Sequence, residues 1–178
     1  ERYALVKAKL LGTNEDYGDY GDELISLLKP FVYRRYLDYG AVQSLRKLKH
    51  MIESEVRRRS LNNNFKLGQG GIREVEFIAQ VFELMRGGRF EELRERSLRK
   101  TLKNIRALDL LPENICTLLD DCYVYLRRLE NVIQEFSDKQ TQTLPDNEKD
   151  CARMLVAMNY QDKGTFLHDL DEVMRAVH

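Results

Sequence analysis

The sequence predicts an all-α protein, a bundle-like array of about seven to nine helices. Three observations carry that expectation. Apolar residues recur three and four positions apart along nearly the whole chain. No stretch alternates apolar and polar residues for long enough to make a half-buried strand. Clusters rich in Gly, Asn, Asp and Pro cut the chain into helix-length pieces.

The elements follow in order. Ala4, Leu5, Ala8 and Leu11 give the first helical face, and YGDYGDE (17–23) reads as a loop. Leu24, Leu27, Leu28, Phe31 and Val32 continue a helical face, with Pro30 kinking it or starting a new helix. Ala41, Leu45, Leu48, Ile52 and Val56 mark a helix over 41–59, broken by LNNNFKLGQGG. The next helix runs from about 71 to 86. Leu98, Leu102, Ile105 and Leu108 mark another, closed before Pro112. The clearest period is Leu119, Cys122, Leu126, Leu129, Ile133 and Phe136, which keeps one stripe facing a partner helix. After QTQTLPDNE, Asp146 is the expected N-cap of a helix carrying Ala152, Leu155 and Val156. Asp162 is the expected cap of a last helix with Phe166, Leu167, Leu170, Val173, Met174 and Val177. No 20–50-residue repeat is present.

Composition narrows the function. The 178 residues suit one helical domain over 1–178, with a possible sub-boundary at the glycine-rich joint, 60–71. The chain opens mid-pattern with ERYALVKAKL, so it is expected to be a piece of a longer multidomain polypeptide. No apolar run reaches the length of a membrane span. Cys116, Cys122 and Cys151 form no CxxC, which argues against a disulfide scaffold or zinc site and fits a reducing cytosol. The three histidines lie far apart in sequence. Lys plus Arg balance Asp plus Glu at 29 each, which removes the general electrostatic footprint of a nucleic-acid binder. Locally the balance tips: 31–66 holds nine bases against Asp38, Glu53 and Glu55. That bias suits an anionic ligand or an acidic surface, or else an ordinary solvated face.

KLGQGGIREVEF (66–77) concentrates backbone freedom before the most apolar helix. Gly68, Gly70 and Gly71 lead into a helix N-terminus, where free N–H groups favour an anion, and Lys66 and Arg73 flank it. At 100° per residue, Arg73, Glu76, Gln80 and Glu83 share an arc of roughly 80°. Ile72, Val75, Phe77, Ile78, Ala79, Val81, Phe82, Leu84 and Met85 cover most of the rest, interrupted by Glu74. A helix so apolar should be largely buried, and its polar stripe is then an internal ion-pair network or a cleft lining. In either case neighbours orient Arg73 and Glu76. The spacing matches neither nucleotide-loop fingerprint, and no strand precedes it, so a plain interhelical joint remains an alternative.

KLGQGGIREVEF, continuing as IAQVFELMRGGR, closely resembles the helical region of the bifunctional glutamine synthetase adenylyltransferase/adenylyl-removing enzymes. ERYALVKAKL, PFVYRRYLD, QSLRKLKHMIESEVRRR, YLRRLEN and QTQTLP extend the resemblance over nearly the whole chain, and GGIRE resembles the adenylyl-removing half. The resemblance implies a parent enzyme that attaches AMP from ATP to a tyrosine of glutamine synthetase and removes it by phosphorolysis, yielding ADP. It implies Mg2+ with ATP, ADP and phosphate as the parent's ligands, none held tightly by this piece. The implied partners are glutamine synthetase, the PII signalling protein and adjacent nucleotidyltransferase domains, in the cytoplasm, with no nucleic acid and no membrane.

The catalytic carboxylates of such a domain are not expected here. The nearest imitation, Gly164-Thr165 with Asp169 and Asp171, is too short in spacing and lies on an amphipathic pattern, so both aspartates read as solvated helix charges. The isolated piece is therefore expected to be inactive. Lys66, Gly68, Gly70, Gly71, Arg73 and Glu76 are the candidates for a phosphate or nucleotide cleft, with Arg34, Arg35 and Gln80 weaker ones. Tyr33, Tyr36, Tyr123 and Tyr125 read as core edges. Two rivals stand beside this reading: a non-catalytic scaffold binding PII or glutamine synthetase, and the helical region of the related PII uridylyltransferase, which the KLGQGGIRE block fits less well.

Overall fold

A computed structural model describes residues 2–9, 11, 16, 18–34, 39–58, 64–137 and 143–178, the side chains of 39, 41, 42, 136 and 137 aside. Among these the protein is all-α. Its helices are α1 (Arg2–Leu5), α2 (Tyr20–Val32), α3 (Tyr39–Arg58), α4 (Ile72–Arg86), α5 (Leu98–Ala107), α6 (Glu113–Ser137), α7 (Glu148–Met158) and α8 (Lys163–Val177). A 3-10 turn covers Glu91–Leu93, and one isolated antiparallel bridge joins Asn64 to Thr143. The expected loop at 17–23 is shorter than foreseen, because α2 already starts at Tyr20. Pro30 sits inside the last turn of α2, which ends two residues later at Val32.

The chain divides into two compact units, Glu1–Leu45 with Ile78–Leu111 and Arg46–Phe77 with Pro112–His178. Of the 60–71 joint, residues 64–71 lie inside the second unit, and 60–63 fall outside the described residues. In the first unit Val6, Val32 and Leu84 form a small core, flanked by Tyr3, Leu5, Tyr33 and Leu45. Leu98, Leu102 and Ile105 are buried on one face of α5, as their spacing requires. Tyr33 donates to the Val6 carbonyl at 3.3 Å, and the Arg94 guanidinium lies over its ring.

The second unit carries the larger core: Phe65, Ile72, Leu126, Leu129, Ile133, Met154, Met158, Phe166 and Leu170. The α6 stripe is buried from Leu119 through Ile133 as its period foretold, and α6 packs on both α7 and α8. Two details of α7 differ from expectation. Asn147, not Asp146, is the N-cap, its side-chain oxygen accepting from the Asp150 amide at 2.8 Å. The cap is the residue just before the first helical one, and with α7 starting at Glu148 that residue is Asn147, whose side chain reaches the third amide of the helix. Val156 is 79% exposed, and Cys151, Met154 and Met158 form the buried face instead. The 152–155–156 set and the 151–154–158 set lie on neighbouring faces of one helix, and sulfur-bearing residues fill this core. Asp162 caps α8 as expected, accepting from the Thr165 hydroxyl at 2.6 Å and the Thr165 amide at 2.9 Å, and these bonds, the hydroxyl's first, hold its carboxyl below the usual range.

After α7, Asn159 adopts the left-handed conformation (φ 66°) and Tyr160 packs edge-on against Phe166. The Tyr160 hydroxyl donates to Asp169 at 2.9 Å and lies 3.2 Å from that of Tyr125. Asp169 is thus half-buried and hydrogen-bonded, not simply solvated, whereas Asp171 is exposed and pairs with Arg175.

Gly70 fixes how the glycine joint meets α8. Its φ is +72°, and an added Cβ would overlap the Met174 backbone carbonyl. Gly70→Ala is therefore expected to cost at least about 3 kcal/mol, combining left-handed strain with a clash against backbone that cannot rotate away. Gly18 has a similar φ of +52°, and an added Cβ would meet nothing within 4 Å among the described residues, so Gly18→Ala should cost only about 1 kcal/mol. Urea midpoints of the two variants test the contrast; equal losses would show that the approach to Met174 contributes nothing.

Candidate functional site

The glycine joint is built by Asn64. Its buried side-chain oxygen accepts from the amides of Lys66 (3.0 Å) and Leu67 (2.8 Å), and its carbonyl accepts from Gly68 at 2.7 Å. This winding delivers two carbonyls to the start of α4. Ile72 donates to the Phe65 carbonyl at 3.1 Å and Arg73 to that of Lys66 at 3.0 Å. Glu74 and Val75 donate to Gly71, and Gly71 donates to Gly68. The first-turn amides, the groups a helix offers to an anion, all have protein acceptors. Gly71 packs as tightly as the joint demands, an added Cβ falling 2.6 Å from the Phe65 carbonyl oxygen.

Glu74 brings negative charge to the same end. Its Oε2 accepts from the Gly70 amide at 2.8 Å, a variant of the capping box. Its other oxygen lies 3.4 Å from Lys49 Nζ and 3.1 Å from His178 Nδ1. One carboxylate thereby ties together α3, the glycine joint, α4 and the end of α8.

Beside it opens a cleft of about 250 Å³. Ile52, Val56, Leu67 and Phe77 make its apolar lining, and Gly68 and Gln69 form part of the rim. Its charged lining is Lys49, Glu53, Arg57, Arg73, Glu74 and His178. Glu53 faces Lys49 at 3.8 Å and His50 at 3.6 Å. Arg57 and Arg73 have no ion-pair partner among the described residues. The expectation that neighbours orient Arg73 is not met: it is exposed, because its position at the second residue of α4 points away from the core that Ile72 and Val75 enter.

The remaining candidates lie elsewhere. Gly68 joins Arg73 in lining the cleft; Lys66, Gly70, Gly71 and Glu76 do not. The Lys66 ammonium sits 3.0 Å from Glu130 Oε1 as an ion pair without hydrogen-bond alignment, and Arg127 holds the other oxygen at 2.6 Å. Glu130 is 2% exposed, so these cations neutralise a charge the core could not otherwise keep. Glu76 is half-buried on the side of Tyr123; burial chiefly pushes the Tyr123 phenol up, Arg127 opposes this, and Glu76 and Glu130 add to it. Gln80 and Arg34 belong to the first unit, and Arg35 and Tyr36 fall outside the described residues. Among the described residues no group of three or more His, Cys, Asp or Glu side chains is placed to hold a metal ion.

The far end of the α4 stripe is an internal network. Glu83 is fully buried, and its Oε1 accepts from Lys7 Nζ at 2.5 Å and Thr101 Oγ1 at 2.9 Å, while Oε2 finds no hydrogen-bond partner among the described residues. Lys7 also donates to the Glu95 carbonyl at 2.7 Å. Burial pushes the Glu83 carboxyl up, with Lys7 and Thr101 pulling it back.

Comparison with known proteins bears on what this arrangement serves. Residues 46–178 match the family model described as GlnD PII-uridylyltransferase. The chain belongs to that family. All 178 residues also align, at 52% identity, with the bifunctional glutamine synthetase adenylyltransferase/adenylyl-removing enzyme of Psychromonas ingrahamii. The chain spans 18% of that relative's length. The family match covers the glycine joint, α6, α7 and α8, and so every residue that lines the cleft.

Sequence reading missed Asn64, whose Asx turn was visible only as part of an Asn run, and the pairing of Glu74 with Lys49 and His178. The second joins residues of two helices to the residue that follows a third, and no local spacing announces it.

Two outcomes follow from the ion pairs. Lys66→Ala should cost about 1 to 2 kcal/mol, less than a fully buried pair because Lys66 keeps contact with water; unchanged urea stability would make the pair inconsequential. For Glu83 the folded state holds its proton more tightly than the unfolded chain. Its contribution is therefore greatest at acid pH and falls as pH rises from the ordinary carboxylate range through the folded value. The unfolding free energy of wild type minus that of Glu83→Gln should shrink along that rise; a flat or rising difference contradicts the assignment.

Proposed function

We propose that this chain is the helical region of the adenylyl-removing half of a glutamine synthetase adenylyltransferase/adenylyl-removing enzyme. Identity of 52% across all 178 residues to such an enzyme supports the reading. The observation that carries it is Arg73 of the GGIRE motif, which stands in the cleft without an ion-pair partner among the described residues. The parent reaction is phosphorolysis. A phosphate oxygen attacks the phosphorus of the AMP group on the tyrosine; the bond from phosphorus to the tyrosine oxygen breaks, the phenol leaves with a proton, and ADP forms. Negative charge on the phosphoryl group in flight is stabilised by cations beside it, and Arg73 is one that pairs with no carboxylate among the described residues.

In this reading the chemistry lies on a nucleotidyltransferase domain beyond this chain, whose acidic residues hold Mg2+, and ATP belongs to the opposing half. The isolated chain is inactive. Lys66 supports the fold by neutralising Glu130, and Arg73, with Gly68 at the rim, faces the ligand. Glutamine synthetase is the substrate, the PII protein a regulatory partner, and the cytoplasm the setting. A scaffold reading draws on a specific observation too: Lys66 and the α4 amides are all engaged within the protein. The family description favours a third, a region serving PII uridylylation.

The test is phosphate-dependent release of AMP from adenylylated glutamine synthetase by a longer polypeptide that includes the nucleotidyltransferase domain. Arg73→Ala is expected to lower the rate by about 10²-fold or more, as removal of a transition-state donor does, with melting temperature unchanged. Glu76→Gln should have a smaller effect, in step with stability. Activity that falls only as melting temperature falls would return the joint to a scaffold, and turnover of PII instead of glutamine synthetase would select the third reading.

A further inference from the structure

Charge in the α3–α4 cleft does not cancel locally. Glu74 is engaged three ways, by the Gly70 amide, Lys49 and His178, and Glu53 faces Lys49 and His50. Both cleft carboxylates are thus matched to cations other than the two arginines. Arg57, in the last turn of α3, and Arg73, in the first turn of α4, are left, among the described residues, as uncompensated positive charge on one cavity. Two guanidiniums from separate helices offer forked donors that suit the oxygens of a phosphoryl group. The rest of the lining is different in kind. Ile52, Val56, Leu67 and Phe77 give an apolar wall that a bare phosphate has no use for, but that a flat, weakly polar ring does.

We propose that this cleft binds a nucleoside diphosphate, with Arg57 and Arg73 on its phosphates and the base or sugar against the Ile52, Val56 and Phe77 wall. The proposal deepens the function proposed above and rests on it for the role of Arg73. Its new content is Arg57 as a second phosphate-binding residue and the nucleotide, rather than inorganic phosphate alone, as the occupant. Arg57 lies outside the glycine motif and is brought to it only by the fold. Binding should be weak in this chain alone, because the cleft exposes its arginines to water and salt.

The experiment is titration of the 178-residue chain with ADP and, separately, with inorganic phosphate, followed by backbone amide shifts at low ionic strength. ADP is expected to bind at millimolar concentrations and to shift Gly68 and Gln69, and phosphate to bind at least tenfold more weakly. Arg57→Ala should weaken ADP binding at least tenfold and Arg57→Lys less, with melting temperatures unchanged, since Arg57 makes no ion pair to lose among the described residues. Phe77→Leu should weaken ADP but not phosphate. Absence of ADP-induced shifts overturns the proposal, as does an Arg57→Ala chain that binds ADP within twofold of wild type. Equal binding of phosphate and ADP overturns the nucleotide as occupant. The readout is separate from AMP release: ADP bound through Arg57, with turnover indifferent to Arg73, would remove the proposed function and leave the site. Turnover dependent on Arg73 without ADP binding here would do the reverse.

Discussion

The second unit depends on one close approach of backbone to backbone. Gly70 lies where only a residue without Cβ fits, against the carbonyl of Met174. That contact seats the glycine joint on α8, and Asn64 winds the joint so that Phe65 and Lys66 present their carbonyls to α4. Phe65 and Ile72, at the two ends of the joint, then enter one core with Leu126 and Phe166. Backbone freedom at a single position thus becomes a rigid corner, and the corner sets where the α4 side chains point.

Along α4 the carboxylates meet different fates, and those fates decide which cations remain. Glu74 completes the N-terminal cap and gathers Lys49 and His178. Glu76 is half-buried toward Tyr123. Glu83 is buried and takes Lys7. Lys66 is meanwhile spent on Glu130. A chain with no net charge can therefore still hold a cleft with net positive character. The balance is struck between particular partners, and in the cleft Arg57 and Arg73 are what the pairing among the described residues leaves over.

Much of the helical architecture was legible because burial enforces period. The α6 stripe from Leu119 to Ile133 and the Asp162 cap needed no tertiary knowledge, since each acts within one helix. The α7 register was less legible: Cys151 and Met154 are less emphatic signals than Leu155 and Val156, and only packing against α6 selects between adjacent faces. At the site, the Gly-rich joint and Arg73 stood out by composition. Lys66 looked free and is not, because its partner lies 64 residues away in YLRRLEN. Arg57 looked like part of a basic run, and its neighbour Arg58 is indeed tied to Glu55 within one turn of α3. What separates the two is the face each occupies, which is a property of the assembled helices.

The Lys7–Glu83 clasp also bears on how the first unit comes into being. It joins residues 76 apart, and α1 has only four residues, too few to persist on its own. On a ribosome adding 5–20 residues per second, roughly 4 to 15 seconds separate the appearance of Lys7 from that of its carboxylate. Through that interval Lys7 lacks the Glu83 carboxylate, and Val6, later a core residue, has no Leu84 to cover it. The stretch that carries Val6 and Lys7 is thus completed late, by Glu83 and Leu84 of α4, which close over it as a latch.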